Sequence, residues 1–331
     1  MTKESKPVDN KIKAGAGGKI RLGVSACLLG QNVRYNGGHT HDPYITKTLG
    51  QFVEYLPVCP EVECGMPVPR EAMRLVGDID NPSLMTIKTK VDMTGQMKAW
   101  AKKRLDEIEK EALCGFIFKS KSPSSGLFRV RVYNEKGMPA QNGTGIWAGM
   151  FRERFPLLPL EEEGRLHDPG LRENFIERIF VFKRWLDLLA AGETPGHLVD
   201  FHTRHKLLLM AHSPEYYREM GKLVADVKKQ TIEEYFVRYG ELLAQAMALK
   251  STVAKNINVL QHIMGYFREN ISSDEKRELL SVFDRYKNRQ TPLIVPITLL
   301  NHYVRKYKQP YLTSQVYLRP HPSEMGLRNY V

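Results

Sequence analysis

Two of the four cysteines in this 331-residue chain, Cys59 and Cys64, lie in the segment LPVCPEVECG. Glu61 and Glu63 lie between them. The Cys-x4-Cys spacing is not a common zinc or ferredoxin pattern, so the pair alone does not separate packing, metal binding and catalysis. In the reducing compartment predicted below, clustered cysteines favour metal or catalytic use over a disulfide framework.

The elements before these cysteines predict how they are positioned. Short apolar runs predict buried strands, and an amphipathic spacing predicts a helix between the second and third strands. Alternation of strands with crossover connections indicates a parallel α/β layer. The predicted strands are 20–26, 52–58 and 114–119, the predicted helix is 96–113, and a turn and helix are predicted over 142–154.

In such a sheet, functional groups collect in the loops after the carboxyl ends of the strands. Cys27 follows the first predicted strand, Cys59 follows the second, and Ser122 opens the SPSSG turn after the third. We therefore expect one site assembled from three loops. Cys114 begins the third strand, about 16 Å from that edge, and is predicted to be a buried structural cysteine.

From about residue 168 the pattern changes to helices without strands, and AGETPG at 191–196 is the predicted boundary. The predicted fold is an α/β parallel-sheet (Rossmann-like) N-terminal domain followed by an all-α C-terminal domain. The predicted helices are 171–190, 195–212, 214–228, 231–248, 250–270, 273–288 and 294–307. The predicted domains are a disordered tail (1–18), a catalytic domain (19–165), a connecting helix (166–191) and the all-α domain (192–331).

The apolar runs and the charge of the chain indicate where the protein is located and what it binds. No apolar run approaches the roughly 18 residues that span a bilayer, and the first 18 residues have no apolar core of a signal peptide, so a cytoplasmic protein without membrane contact is expected.

The net charge is +12, which favours a polyanionic partner over a merely solvated basic face. After Asp284, basic residues alternate with tyrosines, as backbone neutralisation and base stacking require. They are Arg285, Lys287, Arg289, Arg305, Lys306, Lys308, Arg319 and Arg328, with Tyr286, Tyr303, Tyr307, Tyr311, Tyr317 and Tyr330.

Thiols that converge from separate loops suit a soft metal or an iron–sulfur cluster. Cys64 shares a loop with Cys59, and the bend at Pro60 could return it to the same centre. Three thiolates would leave one iron of a four-iron cluster open to substrate. Two alternatives stay open: Cys27 and Cys59 could be small core residues, or a closed zinc site could form with His39 or His41.

Two further side chains could act on protons or substrate. Glu61, in the loop of Cys59, could be a general base over a metal, or alternatively a helix cap or surface charge. Ser122 could present a free hydroxyl at the strand end, or simply form the turn.

These segments resemble a known family. VSACLLGQNVRYNGG, PVCPEV and KSPSSG resemble the signatures of the TudS-like (DUF523) thiouracil desulfidases, over roughly residues 19–165. LVDFHTRHKLLLMAHSPEYY, NINVLQHIMGYF and PLIVPITLLNHYVRKY resemble the YbgA-like (DUF1722) domain, over roughly residues 190–331. The whole chain is similar to RudS-type enzymes, which remove sulfur from 4-thiouridine in tRNA.

The resemblance implies a 4Fe-4S cluster bound by three cysteines, with the substrate sulfur on the open iron and water replacing sulfur without net electron transfer. Cys27 and Cys59 match the first two ligands. Glu61 matches the carboxylate that handles protons, and Ser122 matches the catalytic serine. Oligomeric state is not indicated.

One position departs from the family. Ser125 stands where the stand-alone desulfidases have the cysteine of SPSC, and serine is a poor substitute for thiolate on iron. We infer that Cys64 supplies the third ligand, with Cys114 or a labile three-iron cluster as the fallback.

The resemblance gives the basic helical domain a role in binding tRNA. His202, His205 and His212 share roughly one helical face and are expected to contact tRNA or form buried hydrogen bonds rather than bind a metal. The primary hypothesis is a tRNA 4-thiouridine desulfidase. The alternatives are a desulfidase of free thiouracil or thionucleotides, and an RNA-binding stress protein with a structural or vestigial metal centre.

Overall fold

The N-terminal half of the chain alternates short strands with helices. A computed structural model describes residues 19–134, 136–226 and 231–330, and the tail predicted over 1–18 lies outside them. In chain order the elements are β1 (Ile20–Ser25), β2 (Val53–Val58), α1 (Pro60–Glu63), β3 (Met73–Val76), β4 (Ser83–Thr86), α2 (Thr94–Ile108), β5 (Gly115–Phe118), β6 (Val130–Tyr133), β7 (Pro139–Gly143), α3 (Ile146–Arg154) and β8 (Leu160–Glu162).

The predicted parallel sheet is confirmed, with the strand order β2, β1, β5, β8 and every neighbouring pair parallel. Successive residues of β5 face opposite sides of the sheet. Phe116 contacts Trp147 and Phe151 of α3, with ring centroids 6.4 and 4.8 Å away. Glycine is needed at position 23, because an added Cβ would lie 2.1 Å from the Phe116 ring. The sheet is therefore buried on both faces, which explains its continuous apolar strands.

A second sheet, with the order β4, β3, β6, β7, was not predicted. Its strands have only four or five residues, and it buries a small separate core. Short alternating segments such as MRLV and VRVY carry too little signal to separate a strand from a loop. β8 was also missed, because two of its three residues are the buried acids Glu161 and Glu162. The small core consists of Met66, Leu75, Leu84, Met97, Val130, Val132 and Ile146.

The C-terminal half is helical, as predicted. Ser and Thr cap most of its helices, and Thr231 and Ser272 each form a complete capping box. Residues 227 and 228, the end of one predicted helix, lie outside the described residues, and the helix predicted over 250–270 is shorter than expected. The helices are α4 (Pro169–Ala191), α5 (Pro195–His212), α6 (Pro214–Ala225), α7 (Ile232–Ala248), α8 (Val253–Gly265), α9 (Ser273–Lys287), α10 (Ile294–Lys306) and α11 (Pro310–Thr313).

Helix α4 belongs to both halves of the molecule. Ile179 packs on the sheet so closely that a Cβ at Gly115 would lie 2.9 Å from its Cγ2. Six residues later, Trp185 stacks on Tyr239 of α7 with a centroid separation of 5.4 Å. One continuous hydrophobic core therefore runs from the sheet into the helical half. Among the described residues, no helix has the length and apolarity needed to cross a membrane.

Candidate active site

A pocket of about 400 Å³ opens at the carboxyl edge of the parallel sheet. The loops after β1, β2 and β5 form it, as the strand order requires, because parallel strands end at a common edge. Its lining includes Ser25, Cys27, Arg34, Tyr35, Cys59, Glu61, Arg70, Lys119, Lys121, Ser122 and Ser125. We refer to it as the active-site pocket.

Cys27 and Cys59 enter the pocket from neighbouring strands. Cys27 lies in a single helical turn after β1, and Cys59 is the residue before α1, where its backbone N–H donates to Glu63 Oε1 at 2.9 Å. Both residues are buried, and all four cysteines of the chain are free. Two free thiols on one wall of a pocket are suited to a soft metal.

Burial keeps both thiols in their neutral form. It raises the pKa of Cys27 to about 11, although the nearby Lys119 ammonium partly opposes the shift. It raises the pKa of Cys59 to about 12, and the Glu61 carboxylate adds to the effect. A metal would therefore have to displace protons from both sulfurs on binding.

The structure places Cys64 differently. It is only half-buried, and its thiol donates to the backbone oxygen of Glu61 at 3.3 Å. Its side chain packs against the small second core rather than lining the active-site pocket. Among the described residues, no three His, Cys, Asp or Glu side chains stand close enough to hold a metal together. A third ligand therefore requires either a rotation of the turn at Cys64 or a donor of another kind.

Ser125 presents an oxygen rather than a sulfur, and it is buried and lines the pocket. Its loop is fixed by two glycines. A Cβ at Gly126 would lie 2.7 Å from the Ser122 carbonyl oxygen, and one at Gly145 would lie 2.4 Å from that of Ser124. The N-terminus of α3 also anchors the loop, because the N–H of Ile146 donates to the Pro123 carbonyl oxygen at 3.2 Å.

The remaining predicted alternatives are also located. Cys114 is fully buried, with its thiol 3.9 Å from the carbonyl oxygen of Ala112, consistent with a structural role. His41 hydrogen-bonds with the Thr46 hydroxyl at 2.8 Å, and neither His39 nor His41 lines the pocket. The arrangement gives no support to a closed zinc site with these histidines.

Glu61 stands at the centre of a hydrogen-bonded chain. Its Oε2 lies 3.5 Å from the Cys59 sulfur and 3.8 Å from a guanidinium nitrogen of Arg70. Its Oε1 accepts a hydrogen bond from the Ser124 hydroxyl, which lies 2.9 Å from the Ser122 hydroxyl. The Ser122 oxygen also accepts from the backbone N–H of Ser125 at 3.1 Å. Ser122 therefore forms the turn and also lines the pocket.

Sequence analysis missed Ser124, which is completely buried and links the two predicted catalytic side chains. No pattern could have found it, because the Ser124–Glu61 contact joins loops 63 residues apart. Four basic side chains of the pocket wall were also missed. Lys119 donates a hydrogen bond to Glu163 at 2.5 Å. Arg34, Arg70 and Lys121 also line the pocket. Among the described residues, the one carboxylate at salt-bridge distance from these three is that of Glu61, near Arg70.

The helical domain corrects one expectation and confirms another. Tyr286, Tyr303 and Tyr317 are core residues, so their rings are not available for base stacking. Aromatic residues interleaved with basic ones are also what an amphipathic helix requires, and this reading of the pattern applies here. His202 and His205 are buried, and they hydrogen-bond with the Tyr239 hydroxyl at 3.1 Å and the Phe201 carbonyl at 2.7 Å.

His212 is also buried, and it hydrogen-bonds with Glu177 Oε2 at 2.9 Å and with the carbonyl oxygen of Leu249 at 2.6 Å. The expectation that these three histidines form buried hydrogen bonds is confirmed.

Comparison with known proteins identifies both halves. Residues 206–322 match the family of unknown function DUF1722. The chain is also 33% identical over 153 residues to the uncharacterized protein YbgA of Escherichia coli (strain K12). This alignment covers 46% of this chain and 90% of YbgA. The chain belongs to the YbgA family. Residues 22–163 match the 2-thiouracil desulfurase family. The protein is therefore a fusion of a desulfurase-type domain with a YbgA-type domain.

A solved structure is also similar to part of this chain. It is the [4Fe-4S]-dependent thiouracil desulfidase TudS, which is 27% identical and matches over 47% of this chain and 98% of its own, with a TM-score of 0.38.

Proposed function

We propose that the protein removes sulfur from 4-thiouridine in tRNA, giving uridine, by iron–sulfur-dependent C–S cleavage without net electron transfer. The observation that carries the proposal is that the Cys27 and Cys59 thiols and the Glu61 carboxylate line one pocket, with Glu61 Oε2 3.5 Å from the Cys59 sulfur. The match of this domain to the 2-thiouracil desulfurase family supports the reaction class.

The donor set is suited to a 4Fe-4S cluster, with Cys27 and Cys59 as two of its ligands. When bound, such a cluster supplies a thiophilic iron, not ligated by the protein, for the substrate's thiocarbonyl sulfur. We propose Cys64 as the third ligand. Its thiol would then have to break its hydrogen bond to the Glu61 carbonyl oxygen and turn into the pocket. Ser125 is the alternative, because it already lines the pocket.

Glu61 is the proposed general base. Replacement of sulfur by oxygen at a thiocarbonyl carbon needs water to lose its protons as it adds. Glu61 can take one of them at an oxygen that lies in the pocket wall. Its hydrogen bond with Ser124 holds the carboxylate in place, and the Ser122 hydroxyl, 2.9 Å from that of Ser124, can pass a proton onward.

The basic pocket wall supports a polyanionic substrate. Free thiouracil carries no phosphate, whereas a nucleotide in RNA brings phosphates on both sides of the base. Arg34 and Lys121 lie in the pocket wall, where they can contact those phosphates. An exposed thiolated base could then enter the pocket while the phosphates fix its position.

The matched family's description favours a second candidate, desulfidation of free thiouracil-type bases. The two functions are separated by anaerobic reconstitution with iron and sulfide, followed by parallel incubation with bulk tRNA and with free 4-thiouracil. Nucleoside analysis would measure the loss of 4-thiouridine and the gain of uridine. Retention of 4-thiouridine by a fully loaded enzyme would contradict the tRNA proposal.

Charge variants sharpen the test. Arg34→Ala with Lys121→Ala is expected to raise KM for tRNA about tenfold and leave turnover of free 4-thiouracil unchanged. Lys102→Ala with Lys103→Ala, on the exposed face of α2, is the matched control. Equal effects of both pairs on tRNA would assign binding to overall charge.

The third ligand has its own test. Iron content and the electron paramagnetic resonance spectrum are compared for Cys64→Ser and Ser125→Ala after identical reconstitution. Loss of the four-iron signal in Cys64→Ser alone would support Cys64, and loss in Ser125→Ala alone would assign the position to Ser125.

A further inference from the structure

A second cavity, of about 490 Å³, lies in the helical half of the molecule. We call it the helical-domain cavity. Its volume falls in the range of about 300–1,000 Å³ typical of small-molecule sites. It lies where α4, the start of α8, the end of α9 and the C-terminal segment meet. It is lined by Gly170, Glu173, Asn174, Glu177, Lys250, Ser251, Thr252, Val253, Ala254, Asn256, Tyr286, Arg289, Thr291, Leu293, Arg328 and Tyr330.

The floor of the cavity is a buried charge cluster. Glu177 accepts hydrogen bonds from Arg328 at 2.5 Å and is 2.9 Å from a ring nitrogen of His212, so its carboxylate is fully engaged. Glu173 has weaker partners. Its Oε2 accepts from the backbone N–H of Arg328 at 3.0 Å, and its Oε1 lies 3.8 Å from Arg328 Nε, beyond hydrogen-bond range.

Two carboxyl groups thus share one guanidinium. A bound group that presents an N–H to Glu173 Oε1 would replace the missing partner. The floor therefore favours a hydrogen-bond donor on the ligand.

The rim favours an anion. Lys250 and Arg289 are exposed there, and the first residues of the 13-residue helix α8, Val253 and Ala254, line the cavity. The first N–H groups of a helix have no partner within it and carry the positive end of its dipole.

Polar atoms without partners also point to a missing ligand. Within the described residues, Thr291 Oγ1 and Arg328 Nε are both buried from water and make no hydrogen bond. The Arg328 side chain is 96% buried and belongs to the cavity lining. Buried N–H and hydroxyl groups are rarely left unpaired in proteins.

We propose that the helical-domain cavity binds one nucleotide, with an N–H of its base on Glu173 and its phosphate at the start of α8 beside Lys250 and Arg289. A free amino acid also has a donor and an anionic end, but it would leave most of the volume empty. A mononucleotide has about twenty non-hydrogen atoms and is the size such a cavity holds. Tyr330, which is exposed, provides aromatic surface in the lining.

The test measures binding to the full-length protein by titration calorimetry. The probes are GMP, AMP, CMP and UMP, the matching nucleosides, ribose 5-phosphate and inorganic phosphate. We expect at least one nucleotide to bind about tenfold more tightly than its nucleoside and than inorganic phosphate. Arg289→Ala should remove the advantage over the nucleoside while leaving nucleoside affinity unchanged.

Glu173→Gln is expected to weaken nucleotide and nucleoside binding about tenfold and leave phosphate binding unchanged. Because Glu173 is buried, its variant could fail to fold, in which case Arg289→Ala and Lys250→Ala at the exposed rim decide. Lys287→Ala, at the last residue of α9 and outside the lining, is the matched control. Arg34→Ala reports whether the titrated site is instead the active-site pocket.

Several results would overturn the proposal: no binding at millimolar nucleotide, equal affinity for ribose 5-phosphate and nucleotide, or loss of binding in Arg34→Ala but not in Arg289→Ala. The source of the nucleotide is found by competition. Displacement of a bound fluorescent nucleotide by tRNA, weakened in Arg289→Ala, would identify a nucleotide of RNA. Nucleotide binding that tRNA does not displace would identify a free nucleotide. Neither result depends on the desulfidase activity.

Discussion

Two cavities of the molecule, the active-site pocket and the helical-domain cavity, place reactive groups in opposite ways. The active-site pocket is built from loops at strand ends, and its thiols are buried, neutral and not paired with one another. The helical-domain cavity is built from helices and a terminal segment, and most of its charges already neutralise each other. Parallel strands bring separate loops to one edge of a sheet, whereas a cavity between helices forms where the ends of several helices meet. The active-site pocket therefore has side chains that are free to bind a metal, whereas the helical-domain cavity is suited mainly to binding a ligand without reacting with it.

The largest expected effect is on the iron content of the active-site pocket. Cys59→Ala is expected to abolish cluster incorporation, because it removes one of the two thiols that already line the pocket. Iron per chain after anaerobic reconstitution is the measurement. Cys114→Ala, which removes a thiol buried elsewhere, should keep full iron content. Full iron in Cys59→Ala would contradict the proposed ligand set.

The next prediction tests whether the two regions fold separately. Trp185→Ala removes a buried ring of α4 that packs on Phe201, Phe236 and Tyr239, at a cost of about 3–5 kcal/mol in the free energy of unfolding. We expect one unfolding transition in denaturant, shifted as a whole. Val237→Ala, at a half-exposed position of α7, should change stability by less than about 0.5 kcal/mol. Two transitions, with only one shifted, would show independent domains.

A third prediction uses pH to examine the helical region. Burial lowers the pKa of His202 to about 4 and, with help from Arg184, that of His205 to about 3. The fold thus favours neutral histidine. This contribution is complete above about pH 6.5 and is lost as the pH falls towards 4, on the order of 3 kcal/mol for each histidine.

Glu173 opposes this trend, because its pKa is raised to about 7. The prediction is therefore for the difference between wild type and His205→Gln, which should shrink between pH 6.5 and 4 in chemical denaturation. His302→Gln, at an exposed position, is the control. A difference that does not vary with pH would show that His205 is not held neutral.

The smallest effect expected is that of Ser124→Ala. The change removes the hydroxyl between Glu61 and Ser122, and we expect about a tenfold loss of kcat with KM and iron content unchanged. Ser120→Ala is the matched control, since Ser120 lines the same pocket but bonds Glu163. An equal loss in both variants would make the effect one of pocket shape rather than of the hydrogen-bonded chain.

Sequence alone predicted the parallel sheet, the helical half and the loops that meet at the pocket. These features follow from long apolar or amphipathic periods, which local patterns encode well. The second sheet and β8 could not be predicted, because their strands are short and β8 carries buried acids. Within the site, the residues next to strand ends were found. Ser124, Arg70 and the orientation of Cys64 depend on contacts between distant loops, which no spacing records.

The helical-domain cavity was invisible for the same reason. Glu173, Glu177 and Arg328 are ordinary charged residues in the sequence, and Arg328 appeared to be part of a basic surface. Its burial beside two carboxylates depends on a contact that spans 151 residues. Tyr286 and Tyr317 were assigned to the surface on the same pattern and belong to the core.

Helix α4 has one further consequence. At 23 residues it is about 35 Å long; its first turns line the helical-domain cavity, and its middle packs against the sheet that carries the active-site pocket. Both cavities therefore rest on one helix within one continuous hydrophobic core. A change that shifts α4 would move a wall of the helical-domain cavity and the sheet beneath the active-site pocket together.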